Sequence, residues 1–334
     1  GSIAALINTT VSGEGLKHVI NISNVKLIIA GASHLSKLTN ALENSDLINL
    51  PLFSIEDSER IPAEFKDLKD LSKQFSTFDP YEPVMKDVAA YIFTSGTTGL
   101  PKAALVDHAK LVKGSFAGHF LCFNFKTKDR LYMTLPLYHS TGLVLGWAAS
   151  LRSGCANIIK PKFSASEFWD DVKKYKANKF IYVGELCRYL MNLPASETDK
   201  SNSIVQISGN GLRPDIWDSF QKRFNIKKIV EIYGATEAVG MTVNSFGRSG
   251  MIGRKRSDST IIHCNKDDGS PILNEQGYCT KISEGETGLY IQKISSSAKF
   301  QGYLDAQASN KKILQNVFNE GDQYFNTGAV SYTH

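Results

Sequence analysis

No stretch of this 334-residue chain stays apolar for the roughly 18 to 20 residues that a helix needs to cross a bilayer. The closest approach, GLVLGWAASL at 142–151, is stopped by Arg152, so the chain is not expected to cross a membrane unaided. Cysteine is scarce: Cys122, Cys155, Cys187, Cys264 and Cys279 are widely spaced and contain no C-x-x-C pair, which points to free thiols in a reducing compartment rather than a disulfide frame. Charge of one sign is equally thin. Lysine and arginine number 38 against 33 acids, a net charge of +5, and no basic run interleaves with aromatics as nucleic-acid readers require. The surplus reads as solvated surface with a modest attraction for anionic ligands or an anionic membrane face. The opening GSIAALIN lacks an initiator methionine and the parts of a signal peptide, so the chain reads as a piece of something longer. Low-complexity tracts are absent, and no Ser-His-Asp or Cys-His arrangement surrounds the motifs described below.

What is present suits a large core, since 42% of residues are hydrophobic; one big α/β domain or two closely packed halves would hold it. Leu16, Val19 and Ile20 recur at helical spacing and the apolar run 25–29 follows, predicting a helix and then a buried strand. From 31 to 83 the pattern loosens, predicting peripheral structure and a surface connection with a turn at Asp79-Pro80. A helix is expected over 109–120. Ser164 and Glu167 make a capping box with Phe163 and Phe168 as its hydrophobic staple, predicting a helix whose Phe168, Val172 and Tyr175 face the core. Repeated strand-then-helix units at 180–194 and from 204 onward argue a parallel sheet. Beyond Gly247 turn residues multiply and short strands are expected, with a helix over 310–318; the division is thus an α/β portion at 1–246 and a β-rich portion at 247–334.

The chemistry centres on YIFTSGTTGLPK at 91–102. Tyr91, Ile92 and Phe93 end a buried strand. Thr94, Ser95, Gly96, Thr97, Thr98 and Gly99 then offer hydroxyls and amides on a permissive backbone, a set suited to holding phosphate. Lys102 adds a cation, and Pro101 limits its range. This is not the P-loop of the common NTPases, which has glycine before the lysine and serine or threonine after it; here Pro101 and Ala103 stand there. A plain surface loop is the alternative, and the framing strand and Pro-Lys argue against it.

Three further stretches fall at strand ends, where ligand groups collect in α/β sheets. At 131–142, LYMTLPLYHSTG, a strand stops at Pro136 and runs into Tyr138, His139, Ser140 and Gly142, of which Tyr138 and His139 are the ligand candidates. Gly209, Asn210 and Gly211 sit between a strand and the helix opened by Pro214, where backbone can approach a flat ligand; a tight turn explains them equally well. At 233–237 Tyr233 can stack on a base, Gly234 and Ala235 leave room beside it, Thr236 can donate to a phosphoryl oxygen, and Glu237 can hold Mg²⁺ through hard oxygens. A solvated helix start is the other reading of Glu237.

TSGTTGLPK resembles the phosphate-binding signature of the adenylate-forming superfamily, the acyl-CoA synthetases, luciferases and peptide-synthetase adenylation domains. With FSASEFWDD at 163–171, YVGELCRYLMNLP at 182–194, GNGLR at 209–213 and IYGATE at 232–237, the chain is most similar to the fatty acid transport proteins, also called very-long-chain acyl-CoA synthetases. The resemblance runs to Gly328. It implies the large N-terminal domain of such an enzyme, an α/β fold of stacked parallel-sheet subdomains plus a β-rich subdomain. It implies that 94–102 binds the ATP phosphates, 209–211 and 233–235 enclose adenine, Thr236 meets the α-phosphate, Glu237 ligates Mg²⁺, and Tyr138 and His139 line the acyl and pantetheine path. The implied substrates are a long- or very-long-chain fatty acid, ATP and CoA. The implied setting is intracellular, at the cytosolic face of endoplasmic reticulum, peroxisome or plasma membrane, with membrane association in full-length members; no nucleic acid is implied, nor any oligomeric state.

Two departures accompany the resemblance. The family reads TGD where this chain has NTGAV, so Ala329 replaces the Asp that holds both ribose hydroxyls. The family's hinge and small C-terminal domain, whose lysine serves adenylation, are expected to be absent. The alternative function is therefore a catalytically inactive remnant that binds nucleotide or fatty acid and acts through partners.

Overall fold

The computed structural model describes residues 1–333 apart from 44, 56–60, 75–79, 95–98 and 297. It divides into two compact units, Gly1–His108 with Gly302–Ala306, and Ala109–Gln301 with Gln307–His334. No described helix is long and apolar enough to cross a membrane.

The first unit runs β1 (Ala4–Leu6), α1 (Gly13–Ile22), β2 (Ile28–Gly31), α2 (Leu35–Leu42), β3 (Leu52–Ile55), β4 (Phe65–Asp67), α3 (Leu68–Ser72), β5 (Val88–Thr94) and β6 (Lys102–Asp107). Leu16, Val19 and Ile20 bury as their spacing predicts, joining Leu35, Leu38, Leu42, Leu52 and Phe93 in one core. The segment expected to be peripheral is more ordered than its loose pattern suggests. Its strands β2, β3 and β4 form a parallel sheet of their own, and β2 begins three residues later than the predicted strand. The strands are only three or four residues long, too short to show a period in sequence. Asp79 of the predicted turn lies outside the described residues. In the second sheet β5 lies between β1, parallel, and β6, antiparallel.

The second unit begins with α4 (His108–Phe116), which passes into a π-helix at Ala117–Phe123 in place of the continuous helix expected over 109–120. There follow β7 (Arg130–Met133), a π-helix at Thr141–Ala148, α5 (Ala149–Ser153), β8 (Ala156–Ile159), α6 (Ala165–Tyr175), β9 (Lys179–Val183), α7 (Gly184–Met191), β10 (Gln206–Asn210), α8 (Pro214–Arg223), β11 (Lys228–Tyr233) and β12 (Thr242–Asn244). Six of these strands make one sheet in the order β12-β11-β10-β9-β7-β8, parallel except for β12. Helix α6 starts after Ser164, and its staple rings Phe163 and Phe168 lie 5.9 Å apart. The capping box itself does not form: the Ser164 hydroxyl meets that of Ser166 at 3.2 Å, and Glu167 faces Lys160 at 4.0 Å. Phe168 and Val172 are buried with Tyr182, Trp217 and Phe220; Tyr175 is half-buried.

The remaining elements are β13 (Ser259–Ile262), β14 (Thr287–Lys293), α9 (Ala306–Asn310), β15 (Ile313–Gln315) and β16 (Gln323–Tyr332). The four strands form an antiparallel sheet in the order β13-β14-β16-β15. The helix expected over 310–318 is instead strand β15. Asn316 turns left-handed (φ 53°), and the Asp322 carboxylate collects the amides of Val317, Phe318 and Asn319, which leaves 313–315 to pair with β16.

Candidate functional site

In the first unit, β5 and β6 on either side of the glycine-rich stretch pair antiparallel as a hairpin. The sequence suggests a strand and a loop; it does not reveal that Lys102 opens a returning strand. Thr94 pairs directly with Lys102 across that hairpin, which puts the two side chains on one face of the sheet at the root of the loop. Gly99 takes φ 89°, a conformation that a side chain would strain. The His18 Nε2 atom donates to the Pro101 carbonyl at 3.1 Å, tying the end of the loop to α1. The Lys102 ammonium lies 6.0 Å from the Tyr303 ring centroid. Ser95, Gly96, Thr97 and Thr98 lie outside the described residues.

In the second unit, the parallel strands β7, β9, β10 and β11 all direct their carboxyl ends to the same edge of the sheet, where ligands bind in folds of this kind. The loop after β7 carries Tyr138 and His139, with ring centroids 4.8 Å apart. His139 is solvent-accessible, yet its surroundings desolvate it enough to hold the imidazole below its ordinary range. The next residue, Ser140, meets Thr236 hydroxyl to hydroxyl at 3.0 Å. That contact joins the β7 loop to the 233–237 segment over 96 residues of sequence through Ser140, to which the motif reading assigns no role.

Segment 233–237 leaves β11 as an open loop and not as a helix start. Gly234 and Ala235 are exposed, Tyr233 is half-buried, and Glu237 is buried at 8% exposure. Burial pushes the Tyr233 phenol above its ordinary range, although a hydrogen bond to Thr327 opposes the shift; the nearby Tyr290 and the Glu237 charge add to it. Thr327 in turn donates to the Tyr290 carbonyl at 2.6 Å and accepts from the Ala329 amide at 3.1 Å. Ala329 is thus tied through its amide to the Thr327 hydroxyl beside Tyr290. A bulge between Leu289 and Ile291 in the β14–β16 pairing accommodates this stretch.

Gly209 and Asn210 are the last residues of β10, not residues beyond it, and Gly211 follows at φ 80°. These glycines are required sterically. A Cβ on Gly209 would lie 2.0 Å from the Tyr182 carbonyl oxygen and 2.8 Å from its ring, and one on Gly184 would lie 1.7 Å from the Gly211 oxygen. Among the described residues no three His, Cys, Asp or Glu side chains are grouped to hold a metal. The single carboxylate of Glu237 suits Mg²⁺ carried on substrate phosphates, because that ion keeps waters and takes one or two carboxylates in such sites.

Residues 1–286 match the AMP-binding enzyme family, and the chain belongs to that family. It is 34% identical over 330 residues to the medium/long-chain-fatty-acid–CoA ligase FadD6 of Mycobacterium tuberculosis, covering 99% of this chain and 54% of the relative. It is 36% identical over 344 residues to human long-chain fatty acid transport protein 6, covering 98% of this chain and 54% of the relative. The chain spans about half the length of these curated relatives. Among solved structures, the acyl-CoA synthetase of Brucella canis superposes with TM-score 0.80 at 20% identity, over 99% of this chain and 58% of that one. The anthranilate CoA ligase AuaEII, in complex with anthranoyl-AMP, gives 0.80 at 16% identity, over 100% and 62%. The fold is therefore the mixed α/β fold of the adenylate-forming large domain, as the motifs imply.

Proposed function

We propose that this chain is the nucleotide- and acyl-binding part of an AMP-forming fatty acid–CoA ligase acting on long or very long chains. The observation that carries the reading is the meeting of Ser140 with Thr236, which brings the proposed acyl-path residues Tyr138 and His139 beside the proposed α-phosphate residue. The names of the relatives, a fatty-acid–CoA ligase and a fatty acid transport protein, support the substrate class.

In the proposed reaction a carboxylate oxygen of the fatty acid attacks the α-phosphorus of ATP, and the bond to pyrophosphate breaks, giving acyl-AMP. The CoA thiol then loses its proton and attacks the acyl carbonyl, and AMP leaves. No side-chain nucleophile is needed, so the work falls to positioning and charge. Thr94 and Lys102 hold phosphate oxygens, joined by Ser95, Gly96, Thr97, Thr98 and Gly99. Tyr233, Gly234 and Ala235 receive the base with Gly209, Asn210 and Gly211, and the Thr236 hydroxyl donates to the α-phosphoryl group. When bound through Glu237, Mg²⁺ would neutralise phosphate charge. Lipid-facing activity of this kind fits a location on the cytosolic face of a membrane.

The test is calorimetry with Mg·ATP. Lys102→Ala should weaken binding by about ten- to a hundredfold, the worth of a charge-assisted contact of roughly 1.5 to 3 kcal/mol. Glu237→Gln should reduce the Mg²⁺ dependence without unfolding the chain. Unchanged affinity in the first variant removes the hairpin loop from the site, and unchanged Mg²⁺ dependence in the second removes the metal assignment.

A second reading rests on Ala329: a chain that binds nucleotide or fatty acid without turning over, and acts through partners. Measuring acyl-CoA formation from palmitate, ATP, Mg²⁺ and CoA separates the two.

A further inference from the structure

Strands β9, β10 and β11 place Tyr182, Gly209 and Glu231 in one row, since Gly209 pairs with Tyr182 on one side and Glu231 on the other. Side chains in such a row share a face of the sheet. Gly209 contributes none, so the Tyr182 phenol passes over it and donates to Glu231. The same carboxylate accepts from the Gly211 amide and, at 3.3 Å, from the Leu212 amide. Glu231 is 5% exposed and Tyr182 fully buried, so the three donors and the carboxylate form an interior unit beneath the turn that leads into α8. Tyr182 opens the stretch YVGELCRYLMNLP without a role of its own, and no quoted motif includes Glu231.

We infer that Glu231 is a positioning residue of the nucleotide site: across Gly209 it holds the Gly211 and Leu212 amides, and thereby the shape of the 209–211 backbone, from below. The inference rests on the nucleotide reading above. A buried carboxylate accepting two amides of one turn fixes the orientation of both peptide groups, and Gly211 sits at φ 80°, where glycine's backbone freedom would otherwise be wide. Neutralising the carboxylate leaves these donors with a weaker acceptor and lets the turn relax.

The unit is poised to respond to pH. Burial raises the Glu231 carboxyl to about 7, against the lowering effect of its three hydrogen bonds. The titratable groups facing it are the Tyr182 phenol from β9 and the Cys187 thiol from α7, both pushed up by burial and by the Glu231 charge, so neither titrates near neutrality. Its neighbour on β12, Asn244, is neutral and committed to the Arg248 and Met251 carbonyls. Arg213, beyond the turn, is paired with Asp215. Above neutrality the carboxylate is charged and accepts both amides; below it the proton occupies one oxygen and the hold weakens.

The experiment titrates the 334-residue chain with Mg·ATP between pH 6 and 8, as wild type, Glu231→Gln and Tyr182→Phe, and follows the Gly211 amide resonance without ligand. Wild-type affinity should fall as pH drops, with the Gly211 resonance moving over the same range. Glu231→Gln should bind about tenfold more weakly at pH 8, the worth of about one net hydrogen bond, and show a flat profile. Tyr182→Phe removes one donor to the charged form and should move the midpoint to higher pH. Should Glu231→Gln not fold, this second variant carries the test. A wild-type chain that binds no Mg·ATP at any pH overturns the nucleotide reading and the inference with it. Binding by the wild type, with affinity and slope matched by Glu231→Gln or a midpoint unmoved in Tyr182→Phe, overturns the inference alone.

Discussion

Only two positions separate Ala329 from Thr327, whose hydroxyl accepts from the Ala329 amide and donates to the Tyr290 carbonyl. At the scale of single residues the proposed nucleotide reading gives Ala329 a testable role: on that reading a methyl stands where a carboxylate would accept from two ribose hydroxyls. If each charged hydrogen bond contributes about 1.5 kcal/mol net, Ala329→Asp should tighten Mg·ATP binding by on the order of 3 kcal/mol, roughly a hundredfold. Calorimetry checks it, and an unchanged affinity would show that position 329 does not face the ribose. The residue types at 233–237 were legible in sequence because each offers a different chemistry in five positions. The pairings of Ser140, Glu231 and Tyr182 were not, because serine, glutamate and tyrosine in strands and loops are common, and only their partners 96, 20 and 49 residues away make them notable.

The elements that carry the site are strand-to-helix junctions packed backbone on backbone. Where β9 passes into α7, Gly184 lies against the Gly211 carbonyl at the end of β10. Gly184→Ala would put a Cβ 1.7 Å from that oxygen and 2.3 Å from its carbon, so the 209–211 turn must move. The expected cost is about 1 to 3 kcal/mol of stability, typical of overpacking, together with weaker Mg·ATP binding. Thermal unfolding and calorimetry on the same samples check both, and a variant as stable as wild type with full affinity would show that the junction is loose. Sequence pattern located most of these strands and helices, since their apolar periods are long enough to read. It set β2 three residues early, offered no strand for β3 or β4, all of three or four residues, and read as helix β15, which owes its strand to the Asp322 cap that follows it.

At the scale of the whole molecule the first unit is not contiguous in sequence. Residues 302–304 pair with the outer side of β6: the Leu105 amide donates to the Gly302 carbonyl at 3.0 Å, and the Leu304 amide to that of Ala103 at 2.9 Å. They occupy what would otherwise be the free edge of the β1-β5-β6 sheet, next to Lys102. A fragment of residues 1–108 alone should therefore expose that edge and self-associate, and fusing residues 300–306 to it through a flexible linker should restore a monomer. Light scattering distinguishes the outcomes; a monodisperse fragment without the added segment would show that the pairing is dispensable.

The sequence by itself determined the family and the chemical groups available, because TSGTTGLPK and YGATE are local strings whose meaning needs no partner. It also made the parallel α/β character visible through repeated strand-then-helix units. What only the tertiary structure decided is which groups act together. The hairpin that sets Thr94 opposite Lys102, the hydroxyl contact of Ser140 with Thr236, and the passage of Tyr182 over Gly209 to Glu231 all depend on strand register and order. Register is a relation between distant segments, and the period of a single strand does not contain it.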